Sequence, residues 1–254
     1  KYGFNKIIWG TEWRPVEQMY GLLPLILGSI YTTLGALILG VPLGVLTAIF
    51  LAEQAPPKIV ALIRPAVELL AGIPSVVYGL FGMTTIVPII RAVTNKIPAY
   101  ANDPTLSGGY GILACSIILS IMILPTIINV AEDAIRSVPR EYKEGSLALG
   151  ATHWQTIYRV ILPAARSGIM AGIVLGLGRA IGETMAVIMV AGNAPLVPNS
   201  IFSSVRSMTG NIAIEMAYST GEHSQSLFAT GIVLFVFIML VNSLAMWITR
   251  KEVS

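Results

Sequence analysis

Five stretches of the chain are apolar over long distances: residues 22–52, 65–90, 110–130, 167–191 and 227–248. About 20 apolar residues rise about 30 Å as an α-helix, the thickness of a bilayer's hydrocarbon core. Each stretch therefore predicts a membrane-spanning helix. The first holds Gly28, Gly35, Gly40, Pro42 and Gly44 and no charge; such residues are tolerated in a span because neighbouring helices supply packing and hydrogen bonds. Glu53 and Ala-Pro-Pro at 55–57 end it, and residues 53–64, with Lys58 and Arg64, read as a connector. The second stretch has Glu68 near its start and Pro74 in its middle, within Gly-Ile-Pro-Ser-Val-Val-Tyr-Gly-Leu-Phe-Gly at 72–82. Pro74 lacks a backbone donor, so a kink is expected there.

Between these stretches the pattern turns polar. Residues 91–109 read as a loop rich in Pro, Asn, Asp and Gly. The third stretch contains Pro125 and is expected to stop at Glu132 and Asp133. Residues 134–166 form a polar, helix-friendly handle that leads into the fourth stretch. Residues 192–226 form a longer loop, in which 201–219 is amphipathic enough for a short surface helix. The first 20 residues mix charge with Trp9, Trp13 and Pro15; indole rings favour the headgroup level, so this opening reads as interfacial. The domain reading is thus an external, interfacial segment at 1–21 and one membrane domain over 22–254.

Composition agrees. Of 254 residues only 11% are charged and 55% are hydrophobic, with a mean hydropathy of +0.77; a soluble domain carries about 25% charge. A net charge of +3 on scattered residues gives no reason to expect nucleic acid. The lone Cys115 excludes an intrachain disulfide. The chain opens on polar residues without an initiating Met or a secretory signal, so it is expected to begin partway through a longer protein. Five spans put the two ends on opposite sides. Basic residues mark the cytoplasmic side. Nine Lys and Arg fall on the handle's side, five of them within it (Arg136, Arg140, Lys143, Arg159 and Arg166). Six fall on the other: Lys1, Lys6, Arg14, Arg91, Lys96 and Arg206. The handle is placed in the cytoplasm and the opening segment outside.

Within the handle, Glu144, Gly145 and Ser146 are followed by Leu-Ala-Leu, Gly150, nine residues and Val-Ile-Leu-Pro at 160–163. Small side chains at Gly145, Ser146, Ala148 and Gly150 let a helix sit close against another surface, and Leu147 and Leu149 add apolar knobs. Gly150 can end this helix in a left-handed turn, and His153, Trp154 and Gln155 open the next. His153 has no companion ligands and reads as a surface or docking residue.

This spacing resembles the cytoplasmic loop of ABC importer permeases, Glu-Ala-Ala, three residues, Gly, nine residues, Ile-x-Leu-Pro. Gly145 and Ser146 replace the alanines and Val160 replaces the isoleucine. The stretches 72–82, 138–157 and 176–187, the last reading Gly-Leu-Gly-Arg-Ala-Ile-Gly-Glu-Thr-Met-Ala-Val, further resemble the phosphate-specific permeases, the PstC type rather than the PstA type. The resemblance implies an all-α, polytopic bundle of the type I ABC importer kind. Family members have six spans with both ends cytoplasmic; their first has no counterpart among the five here, and an external start is what its loss would produce. It also implies partners: a second, PstA-type permease, a cytoplasmic ATPase dimer that docks on Glu144, Gly145, Ser146, Ala148 and Gly150, and an external phosphate-binding protein. The expected place is a bacterial or archaeal inner membrane, with lipid around the spans. No cofactor is implied. The chain has no Gly-x-x-x-x-Gly-Lys-Ser/Thr loop, so ATP is expected on the partner. No Cys/His cluster or nucleophile–base arrangement points to a metal or an enzyme of its own.

The fourth stretch carries the candidate chemistry. At 100° per residue, Gly168, Gly172, Gly176, Arg179 and Glu183 fall within about 80° of one another. The glycines allow a close helix neighbour. Arg179 lies about 13 residues into the stretch, near the midplane at roughly 1.5 Å per residue, where an arginine costs about 3 kcal/mol by insertion scales. One reading is an i,i+4 Arg–Glu pair that neutralises itself. The other is an anion path, in which the resemblance implicates both residues: a guanidinium matches a pair of phosphate oxygens, and Glu183 can accept the hydrogen of a protonated phosphate. Ser75 and Tyr78 read as packing or as lining a cavity, Glu68 as a partner for a handle arginine, and Cys115 as core or lipid-facing. Rival functions are a permease for another oxyanion (sulfate or molybdate), a secondary anion transporter or channel, and a structural scaffold.

Overall fold

The structure, a computed structural model, describes residues 8–101 and 103–251. A short antiparallel hairpin opens it: β1 (Trp13–Arg14) pairs with β2 (Met19–Tyr20), Trp13 opposite Tyr20. Helices follow. Among the described residues five are long and apolar enough to cross a membrane: Leu23–Gln54, Ser75–Thr94, Thr105–Arg136, His153–Gly182 and Gly221–Leu244. The expected all-α class holds.

Proline and charge set the ends of these helices differently from the sequence expectation. The first, α1 (Leu23–Ile49), continues through a wide turn at Phe50–Gln54. It stops because Pro56 and Pro57 have no N–H to offer the last carbonyls. The Arg136 Nη2 donates instead to the Leu51 carbonyl at 2.8 Å, placing a cation at a helix C-terminus, where it is favourable. Residues 53–64 are not a simple connector, because α2 (Pro57–Gly72) starts at Pro57 and encloses Pro65. A proline at the first helical position costs no hydrogen bond. At Pro74 the backbone turns extended, with ψ 140°, so the expected kink is a full break. The second span is therefore only α3 (Ser75–Phe81), a wide turn at Gly82–Ile86 and α4 (Val87–Thr94). Two one-turn helices, α5 (Pro98–Ala101) and α6 (Pro104–Ser107), occupy the expected loop.

Glu132 and Asp133 do not end the third helix. It runs on as α7 (Ile112–Arg136) because Glu132, only 3% exposed, accepts from Arg64 Nη2 at 2.5 Å and from Arg136 Nε at 2.8 Å. After α8 (Arg140–Ala148) and the single turn α9 (His153–Thr156), a wide turn at Ile157–Ile161 leads into α10 (Leu162–Gly182). The fourth span thus begins at His153, inside the stretch read as a handle. Then come α11 (Met185–Val190), α12 (Met208–Glu215) and α13 (Glu222–Lys251). The expected amphipathic helix at 201–219 is α12: one face is buried, with Met208 and Asn211 wholly enclosed and Glu215 nearly so, while Ala213 is exposed. Trp13, expected at the membrane interface, is also core; its indole N–H donates to the Glu215 carboxylate at 2.9 Å. Trp9 remains exposed. Lys1 and Lys6 lie outside the described residues.

The chain forms two compact units. Among the described residues, one holds 8–39, 73–122 and 180–240; the other holds 40–72, 123–179 and 241–251. In the first, Trp13, Tyr20, Leu22, Leu25, Met208 and Leu227 pack together. Glu215 sits beside them and takes the Trp13 indole, Arg206 Nη1 at 2.5 Å and His223 Nε2 at 2.8 Å. Arg206, assigned to an outer loop by sequence, is thus drawn into this buried group. In the second unit, Ala48, Ile49, Ala131, Ile135, Ile157, Ile161 and Ala165 form the core. The glycine row of α10 lies against α7: a Cβ on Gly168 would meet that of Ala134 at 2.3 Å, and one on Gly176 would meet Ile127 at 3.0 Å. The expected close helix neighbour is present.

Candidate functional site

The handle's first helix ends at glycine. At Gly150, φ is +84°, a conformation that costs side-chain-bearing residues energy. The N–H groups of Gly150 and Ala151 donate to the carbonyls of Leu147 (2.9 Å) and Ser146 (3.2 Å), closing the end of α8 as the left-handed cap requires. Thr152 then opens α9 with a reciprocal cap: its hydroxyl accepts from the Gln155 N–H and its own N–H donates to the Gln155 side chain. The Ser146 and Thr156 hydroxyls, 3.0 Å apart, tie the two helices together.

What this builds is an open face. No side chain of α8 is buried. Glu144, Gly145, Ala148 and Gly150 are exposed and Ser146 is half-buried. Leu149 is 90% exposed and Trp154 66%. A Cβ built on Gly145 or Gly150 would meet nothing within 4 Å. Packing among the described residues therefore does not call for glycine at 145. His153 is exposed, as a surface or docking residue would be.

The charged span holds a break. α10 stops at Gly182, Glu183 and Thr184 leave the helix, and α11 restarts at Met185. Glu183 Oε1 accepts the Ala186 N–H at 3.1 Å, satisfying one of the free donors at the new helix start. The Thr209 hydroxyl donates to the Glu183 carbonyl at 3.1 Å. A single helical face through residue 183 is therefore not formed, and the carboxylate serves α11. Arg179 is exposed and enters no ion pair or hydrogen bond among the described residues. Around it, an added Cβ on Gly178 or Gly182 would meet open space.

The remaining candidates separate cleanly. Tyr78 is 5% exposed and packs, Ser75 is half-buried at the start of α3, and Cys115 is fully enclosed. Glu68 is not the acceptor for a handle arginine; Arg136 goes to Glu132. Three polar groupings escaped the sequence reading: Glu132 with Arg64 and Arg136, Glu53 with Lys143, and Glu215 with Trp13, Arg206 and His223. Only the i,i+4 spacing of Glu132 and Arg136 carried a local signal.

A family model described as binding-protein-dependent transport system inner membrane component matches residues 40–253. The chain is 41% identical over 250 residues to the probable ABC transporter permease protein YqgH of Bacillus subtilis, covering 95% of this chain and 77% of that one. It is 38% identical over 263 residues to the phosphate transport system permease protein PstC of Mesorhizobium japonicum, covering 98% and 79%. Among solved structures, the inward-facing MetNI methionine ABC transporter superposes with a TM-score of 0.66 at 18% identity, covering 95% of this chain and 99% of that one. A bacterial alginate ABC importer does so with 0.66 at 18%, covering 97% and 87%. At such identity the likeness is one of fold.

Proposed function

The chain belongs to the binding-protein-dependent transport system inner membrane components, and from that membership we propose that it is one permease subunit of an ATP-driven phosphate importer. The phosphate assignment is supported by relatives named phosphate transport system permease protein PstC, 35–38% identical across nearly the whole chain. The observation that carries the mechanism is the exposed α8, which buries nothing of its own and leads through α9 directly into the helix that bears Arg179. In this reading the chain pairs with a second, PstA-type permease in the inner membrane. A cytoplasmic ATPase dimer binds at residues 139–153 and supplies all ATP hydrolysis. An external binding protein delivers phosphate. Closure of the ATPase pushes α8 and tilts the spans, alternating access to Arg179. The guanidinium receives two phosphate oxygens, and Glu183 discriminates among anions.

The test is reconstitution of the four components in proteoliposomes: phosphate uptake should require ATP and the ATPase together. Uptake that persists without the ATPase would establish the secondary transporter or channel instead, whose paths are also marked by intramembrane charge.

Glu183 has a narrower test. One carboxylate oxygen caps α11, and the other is available for a hydrogen bond. Hydrogen phosphate has a proton to donate and sulfate at neutral pH has none. Glu183→Gln keeps an oxygen for the cap but gains an amide donor that suits sulfate. Discrimination against sulfate in competition assays is expected to fall about tenfold, the value of one charged hydrogen bond. Unchanged selectivity removes Glu183 from anion choice.

A further inference from the structure

Among the described residues, α8 is tied to the turn after α1 by one ion pair and to α9 by the Ser146–Thr156 hydroxyl pair. No side chain of α8 is fully buried, and Lys143 and Ser146 are its half-buried members. Its Lys143 Nζ donates to Glu53 Oε2 at 2.5 Å. Glu53, with a side chain 10% exposed, stands in the wide turn that ends α1, while Lys143 is 34% exposed. Both residues border a cleft of about 440 Å³, together with Arg136, Arg140, Glu144 and Leu147.

Beyond Glu53 the ties continue without a gap. The same turn is anchored at the Leu51 carbonyl by Arg136 of α7. Arg136 shares the enclosed Glu132 carboxylate with Arg64 of α2. A displacement of α8 that acts through Lys143 is thus delivered to α1 first, and then to α7 and α2. An ion pair this sheltered is screened less by salt than an exposed one. It also resists pulling, since separation strands a carboxylate in poor solvent.

We propose that the Lys143–Glu53 ion pair is the linkage that converts movement of α8 into movement of the first span's end, so that Lys143 and Glu53 are positioning residues for coupled transport. This rests on the reading that α8 is where the ATPase bears.

The experiment uses the complete transporter in proteoliposomes and measures phosphate taken up per ATP hydrolysed. Lys143→Glu and Glu53→Lys should each lower that ratio about tenfold, while the double exchange restores most of it, as coupled neighbours do in a double-mutant cycle. A double exchange no better than the worse single variant overturns the proposal, as do single variants with the wild-type ratio. Should charge reversal prevent assembly, Glu53→Gln keeps the shape and is read in the same way. A ratio lowered about threefold or more supports the linkage, and an unchanged ratio overturns it. Loss of the underlying reading looks different: the ATPase then stays bound when the exposed face of α8 is altered, and the proposal falls with it. Normal docking with an unchanged ratio in the Glu53 and Lys143 variants sinks the linkage alone.

Discussion

Replacing Arg179 by alanine is expected to lower phosphate uptake by about 100-fold while leaving the complex assembled, the equivalent of two hydrogen bonds to a charged group. Arg179 makes no ion pair or hydrogen bond among the described residues and is exposed, with open space beside Gly178 and Gly182. Its removal therefore breaks no ion pair or hydrogen bond among the described residues. An unpaired arginine within a span costs about 3 kcal/mol by insertion scales, so Arg179→Ala should be as stable as the parent or more so. Stability held while transport collapses is the signature of a group retained for the anion. A residue that merely joined helices would lose both together. Arg179→Lys keeps the charge but loses the planar fork, so uptake should be intermediate, down about tenfold with one oxygen contact gone. Uptake at the wild-type level in an intact Arg179→Ala complex would take this residue off the path.

How far such a site could be read from sequence depended on whether its signals were local. The spans were legible because about 20 uninterrupted apolar residues have few alternatives to crossing a bilayer. The glycine row at 168, 172 and 176 was legible for the same reason: 3.6-residue periodicity puts it on one face, and that face meets α7. Gly150 declared its left-handed turn. Helix ends were missed where charge was taken as the end of a helix. Glu132 sits inside its helix with two partners, Arg136 one turn on and Arg64, 68 residues earlier, which no local pattern announces. The burial of Trp13 was not legible, because its acceptor, Glu215, lies 202 residues away. The break at Glu183 had a faint local mark, Gly182 followed by an acidic residue three positions before an N–H in need of a cap. Helical periodicity carried the reading past it.

The second large effect concerns Leu149. It is 90% exposed, at the tip of α8 beside the left-handed Gly150, on a face that none of the described residues covers. Burying a leucine against a partner contributes about 1.5–3 kcal/mol. A carboxylate left there without a counter-charge costs several kcal/mol more once enclosed. Leu149→Asp should therefore weaken ATPase binding by more than about 100-fold, since each 1.4 kcal/mol is a factor of ten. The ATPase should be lost on co-purification with the permease pair. The chain itself should fold as before, because an exposed position has no internal contacts to lose, and thermal unfolding of the membrane subunits reports that separately. Leu147, 41% exposed on the same helix, should show a smaller loss when changed in the same way. An ATPase that still co-purifies with Leu149→Asp would mean that it bears elsewhere, and residues 139–153 would then be a connector between spans with no part in driving transport.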